Sequence, residues 1–153
     1  MTEEPLPQFG TCMDGIDYVD RVSVYGIAIN DAGQALVCRR TLDRIVLPGG
    51  GVDSDEDLLQ ALHREITEET GHRVTSERFL FSARQYHANR GRKPAANKLC
   101  HFYVVDLKFD PDIEKEDDHE PVWLPPDRLA HSMTFESHAW ALNRAVSEHQ
   151  RNG

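Results

Sequence analysis

The chain has 153 residues, 39% of them apolar, which is enough for one domain with a buried core. It carries 26 Asp and Glu against 17 Lys and Arg, a net charge of −9, which excludes a generally basic nucleic-acid or anionic-membrane binder but not a local basic patch. No apolar run approaches the roughly 18 residues of a membrane span. Cys12, Cys38 and Cys100 are odd in number and lack CxxC spacing, so a disulfide scaffold or structural zinc site is not expected. The acidic, Pro-containing start (Met1 to Gln8) does not read as a secretory signal, and a reduced cytoplasm is the expected compartment.

Residues 1–20 show no clear period and read as a lead-in with at most a short edge strand. The β-branched run Arg21 to Ile29, the turn Asn30-Asp31-Ala32-Gly33 and the run Ala35 to Arg39 predict a hairpin. Ile45-Val46-Leu47 predicts a short strand ending at Pro48-Gly49-Gly50-Gly51. A helix is expected next, capped by Asp53 or Ser54, with Asp55, Glu56 and Asp57 in its first turn and Gly71 as its left-handed stop. Arg78 to Tyr86 and Lys98 to Phe109 predict strands joined by a polar loop, His87 to Asn97. An acidic loop from Asp110 to Glu120 precedes the short apolar piece Val122-Trp123-Leu124. Phe135, Ala139, Leu142 and Val146 recur at helical spacing and predict a C-terminal helix over Thr134 to His149. Strands interleaved with two helices suggest an α/β fold, a mixed sheet between helical layers, over a single domain, 1–153.

The central helix carries charge where burial is due. At about 100° per residue, Leu58, Leu62 and Ile66 form its apolar stripe, and Glu65 and Glu69 fall within roughly 20° of Leu58, with Glu68 beside them. Like charges at helical spacing repel, and an unpaired buried charge costs several kcal/mol. Arg64 can neutralise one carboxylate but not three, whereas a divalent cation with a taste for hard oxygen, Mg²⁺ or Mn²⁺, can. Three consecutive glycines before this helix let backbone approach a metal or phosphate closely.

From Gly50, five residues lead to Glu56, seven more to Arg64-Glu65, and Ile66-Thr67-Glu68-Glu69-Thr70-Gly71 follow. This resembles the Nudix box, G-x5-E-x7-R-E-U-x-E-E-x-G-U with U bulky and apolar; the one departure is His72 at the last position, from which a local packing change is expected. The resemblance implies a Nudix-type α/β/α sandwich and Mg²⁺- or Mn²⁺-dependent hydrolysis of a nucleoside diphosphate linked to another group. It makes Glu65 and Glu69 the main metal ligands, Glu68 a further ligand or base, and the carbonyl of Gly49 another ligand. Arg64 would orient the glutamates, and Glu56 would support the loop–helix junction.

Beyond the box, residues 106–120 hold eight acids, of which Glu120 is the favoured outside carboxylate. Residues 78–105 hold six cations and no acid, so Arg84 and the Arg90–Lys93 loop, Arg92 included, are candidates for phosphate, as are Arg39, Arg40 and Arg44 flanking the glycines. Tyr25, Tyr86, Phe102 and Trp123 could stack a base, though at strand spacing core is the commoner fate. The eight histidines show no metal-ligand spacing and are expected to be structural or exposed. The expected partner is a nucleoside diphosphate-type small molecule. Nucleic acid is not expected beyond a capped RNA end, nor is a membrane, and a homodimer stays open. The rival classes are a non-catalytic Nudix module that binds a nucleotide to regulate a partner, and a cation-binding structural domain without a nucleotide site.

Overall fold

The computed structural model describes residues 5–40, 44–88 and 94–152. Two sheets form the centre. The larger has five strands in the order β1 (Gln8–Phe9), β6 (His72–His87), β7 (Ala95–Phe109), β2 (Tyr18–Ile27) and β5 (Gly49–Gly51). The smaller has the order β4 (Arg44–Val46), β3 (Ala35–Arg40) and β8 (Glu120–Leu124). The β2–β7 and β1–β6 pairs are parallel and the others antiparallel, so the larger sheet is mixed, as expected.

The expected hairpin is only begun. Asn30 accepts the turn hydrogen bond from the Gly33 N–H, and Ile29 bridges Ala35. The two strands then part company, β2 into the larger sheet and β3 into the smaller. Other boundaries move by a few residues: β6 starts at His72 rather than Arg78, and β7 at Ala95, inside the expected loop.

Side chains alternate across a strand, so β2 feeds two cores. Val24 and Ala28 face α1 (Leu58–Thr70) and pack with Ala61, Leu62, Ile66, Tyr103 and Val105. Tyr25 and Ile27 face α3 (Glu136–Asn152) and pack with Phe102, Ala141, Leu142 and Ala145. Helices thus cover both faces of the larger sheet, and a short α2 (Pro126–Leu129) leads into the second layer. Gly26 makes the α1 contact close, since a Cβ there would sit 2.6 Å from Ile66 Cδ1. Each fully buried Leu or Ile in these layers contributes about 1.5–3 kcal/mol.

Helix α1 starts later than the sequence suggests. Its cap is Asp57, whose side chain accepts from the Gln60 N–H while Gln60 Oε1 accepts from the Asp57 N–H. This reciprocal capping box replaces the cap expected at Asp53 or Ser54 and leaves Asp55 and Glu56 ahead of the helix. Gly71 ends the helix at φ 72°, as expected. His72 opens β6, where its ring meets Phe109 and Trp123 edge-on and its Nδ1 lies 3.0 Å from the Thr70 carbonyl. An imidazole thus fills the place of the expected apolar side chain. Among the described residues no helix is long and apolar enough to cross a membrane.

Candidate active site

The helix stripe comes out as the projection requires: Leu62 and Ile66 are fully buried, and Glu69 is 5% exposed beside them. Glu69 Oε2 accepts from the Gly49 N–H at 3.1 Å and from the Cys38 thiol at 3.9 Å. Burial pushes the Glu69 carboxyl up to about 9, against the Gly49 hydrogen bond and reinforced by the charge of Glu65. Burial likewise raises Glu65, with Arg64 opposing. Burial also raises the Cys38 thiol, and the Glu69 charge adds to it.

Arg64 organises the acidic cluster. Its guanidinium reaches Glu56 Oε1 at 2.5 Å, Glu65 Oε1 at 3.1 Å and Glu68 Oε2 at 3.4 Å, and it donates to the Gly51 carbonyl at 3.2 Å. Hydrogen bonding to Arg64 holds the Glu56 carboxyl down to about 2. Glu56 Oε1 also accepts from the Asp53 N–H at 2.9 Å, tying the loop to the helix. Glu68 is the most open of the three helix carboxylates, its side chain 42% exposed. The glycines are needed here for room. A Cβ at Gly50 would lie 2.8–2.9 Å from the three carboxyl atoms of Glu65, and Gly49 sits at φ 147° against the β2 backbone.

This donor set suits a hard divalent ion. Buried carboxylate oxygens face a glycine backbone with space kept for them, and their one arginine is already shared among several acids.

The structure adds His119, which the sequence reading set aside. It is 4% exposed, with Nε2 3.5 Å from Glu69 Oε1 and Nδ1 2.9 Å from Asp118 Oδ1. One potential ligand atom from each of Glu116, Asp118 and His119 lies within 4.8 Å of the others. Glu120 itself is exposed and begins β8 opposite Arg39, so the residue of the acidic loop that meets Glu69 is its neighbour His119. No spacing in the sequence marks His119. His138 was expected only to be structural or exposed, like the other histidines. It is 1% exposed, and its Nδ1 accepts from the Leu47 N–H at 3.1 Å. That hydrogen bond leaves the proton of the neutral ring on Nε2, and burial pushes the ring down to about 3.

A cavity of about 480 Å³ opens between the glycine strand and α3. Its wall includes Gly49 to Gly51, Glu69 and His138, and four cations, Arg21, Arg40, Arg44 and Lys98. Strand alternation explains the set: Arg21, Ser23 and Tyr25 project from one face of β2, and Ala96 and Lys98 from the same face of β7. Of the expected phosphate-binding residues, Arg40 and Arg44 line this cavity. Arg39 and Arg84 do not, since Arg39 points away from its neighbour Arg40 and Arg84 lies on β6 near β1. Arg92 lies outside the described residues. Among the expected stacking aromatics, Tyr25 and Phe102 are buried against each other, with ring centroids 5.7 Å apart. Tyr86 meets Tyr18 edge-on.

A family profile for the NUDIX domain matches residues 19–145. Among solved structures, a MutT NUDIX hydrolase from Burkholderia pseudomallei is 26% identical, with TM-score 0.67 over 82% of this chain and 97% of its own. A NUDIX hydrolase from Nitrosomonas europaea is 20% identical, with TM-score 0.65 over 87% of this chain and 90% of its own. An isopentenyl-diphosphate Delta-isomerase from Clavibacter sepedonicus is 27% identical over 104 residues, which are 63% of this chain and 55% of the isomerase. The chain spans about half the length of the curated relatives it matches.

Proposed function

The chain belongs to the NUDIX domain family, and on that premise we propose that it is a metal-dependent pyrophosphohydrolase. Its substrate is a nucleoside diphosphate linked to another moiety, cleaved by attack of water on phosphorus. The observation that carries this reading is the buried carboxylate cluster set against a glycine backbone that has kept room for it. The isopentenyl-diphosphate isomerase among the similar proteins supports a diphosphate as the recognised group.

Glu65, Glu69 and the carbonyl of Gly49 would hold Mg²⁺ or Mn²⁺. When bound, such an ion offsets diphosphate charge and lowers the pKa of a bound water. Glu68, the most open carboxylate, takes the proton of the attacking water at its Oε1, because Arg64 engages Oε2. Arg64 holds Glu56, Glu65 and Glu68 in register, and so fixes where that base stands. The buried Gly49 N–H orients Glu69. Arg44, with Arg40, Arg21 and Lys98, holds the phosphate side of the substrate. Cys12, Cys38 and Cys100 are all unpaired, which supports a reducing, cytoplasmic setting.

The test is phosphate or nucleotide release from nucleotide sugars, ADP-ribose, nucleoside triphosphates and dinucleoside polyphosphates with Mg²⁺ or Mn²⁺. Turnover that vanishes with chelator supports the reading. Nucleotide binding without turnover across the panel favours a regulatory module instead. No calorimetric uptake of either cation, with nucleotide present, overturns it.

A further inference from the structure

Beside the glutamates stands a buried imidazole whose two ring nitrogens meet different neighbours. Nδ1 of His119 lies 2.9 Å from Asp118 Oδ1, a normal N–H···O length, and 3.4 Å from Glu116 Oε2. A carboxylate only accepts, so Nδ1 carries the proton and donates it to Asp118. In the neutral ring Nε2 then holds a lone pair, and it faces Glu69 Oε1 at 3.5 Å. The other Glu69 oxygen is already taken, since Oε2 accepts from the Gly49 N–H and the Cys38 thiol. Two acceptors face to face need something positive between them. A shared proton would draw them to about 2.5–3.0 Å, whereas 3.5 Å is the span of a metal ion. At about 2.0–2.1 Å to nitrogen and 2.0–2.2 Å to oxygen, an ion bridging that gap subtends an angle of about 110–115°, close to tetrahedral.

The chain holds the imidazole in place. Lys115 Nζ donates to the carbonyls of Glu116 and His119, and the Glu116 N–H donates to the Glu68 carbonyl at 2.8 Å. The loop therefore delivers His119, 4% exposed, against α1 one residue before β8 begins. A carboxylate on one ring nitrogen and an open second nitrogen is the usual preparation of a metal-ligating histidine. The carboxylate fixes tautomer and ring orientation and makes the open nitrogen more basic.

We propose that His119 Nε2 and Glu69 Oε1 form a mixed nitrogen–oxygen site for a borderline divalent transition ion, Zn²⁺ or Co²⁺. The hydrolase reading gives Glu69 to a hard ion and His119 no part, so this site goes beyond it. Imidazole suits Zn²⁺ and its neighbours, whereas Mg²⁺ takes oxygen. Asp118 is a positioning residue that acts through the ring. Glu116 and Asp118 are exposed and lie on the Nδ1 side, away from the ion. Two protein ligands leave the remaining positions to water or a phosphate oxygen.

The experiment is titration calorimetry with Zn²⁺ alone and with Mg²⁺ alone, on the protein and on His119→Gln, Asp118→Asn and Glu116→Gln. His119→Gln should lower Zn²⁺ affinity about a hundredfold and Asp118→Asn about tenfold, with Mg²⁺ affinity within about threefold throughout. Parallel losses for the two ions make His119 a mere support for Glu69 and overturn the proposal. A Zn²⁺ loss in Asp118→Asn or Glu116→Gln equal to that in His119→Gln puts the ion on the Nδ1 side and overturns it as well. A second measurement needs no variant. Proton NMR of the Co²⁺-loaded protein should show a strongly shifted, solvent-exchangeable resonance, the Nδ1–H of a ligated imidazole, and its absence overturns the proposal. None of these readings depends on turnover. Zn²⁺ held through His119 in a protein that hydrolyses nothing leaves this site standing and the hydrolase reading fallen; hydrolysis together with parallel losses does the reverse.

Discussion

Two clusters of like charge meet at the glycine strand, and they are built differently. Around α1, Glu56 just ahead of the helix and Glu65 and Glu68 on it are drawn together by Arg64, and Glu69 is held by a backbone N–H. Across the strand, Arg40 faces Arg44 and Arg21 faces Lys98, brought into register by strand pairing. The acidic cluster is thus gathered by one arginine around one helix, whereas the basic one is assembled by pairing between strands.

The strongest way to break this contrast is Glu69→Gln. Turnover should fall by about 10³-fold with the fold retained, as expected for a group needed in the transition state. The ligand-free protein should melt no lower, because a carboxylate held unfavourably in the core is gone. Single-turnover kinetics and a melting curve check both halves, and near-normal turnover would remove Glu69 from the site.

Gly50→Ala comes next. Its new Cβ would press on the Glu65 carboxyl from 2.8 Å, and a loss of about 10²-fold in kcat is expected, comparable to a 1 Å misplacement of a catalytic group. A crystal structure of the variant should show Glu65 displaced.

Arg64→Lys sharpens the organiser's role. A lysine keeps the charge but not the fork that reaches three carboxylates, so kcat should drop by about tenfold to a hundredfold with KM little changed. By contrast Glu120→Gln should alter kcat by less than about threefold, since Glu120 is exposed and opens β8 opposite Arg39. A large effect there would move the proton acceptor from Glu68 to the acidic loop.

The smallest effect concerns pH. Burial pushes the His138 ring down to about 3 in the folded chain, against about 6.5 for a free imidazole. Between those values the unfolded chain takes up a proton that the folded one does not. The stability linked to neutral His138 is therefore full above about pH 6.5 and declines as pH falls toward about 3, by up to a few kcal/mol. Denaturant titrations of the wild type and His138→Gln across pH 4–7 should show a shallower pH slope in the variant.

Much of this was legible beforehand. The box spacing and helical projection identify Glu65, Glu68 and Glu69 together with Arg64, because a helix converts sequence spacing directly into neighbourhood. The cation wall was only partly visible. Arg21 and Lys98 come together through a parallel pairing of distant strands, and register between distant strands is not written in local pattern. Arg40 rather than Arg39 enters the cavity because of strand phase, which shifts with a single residue. His119 reaches Glu69 through the path of a loop, and its own neighbours in sequence are acids that carry no such signal.

The acidic segment after β7 is stitched down along its length. The Asp110 N–H donates to the Gly71 carbonyl, and the Glu116 N–H to the Glu68 carbonyl at 2.8 Å. Those acceptors belong to the final turn of α1 and its cap, where carbonyls otherwise lack helical partners. The segment therefore cannot swing as a free flap over the glutamates; any opening must first give up these two hydrogen bonds and strand the carbonyls that end the very helix that bears them.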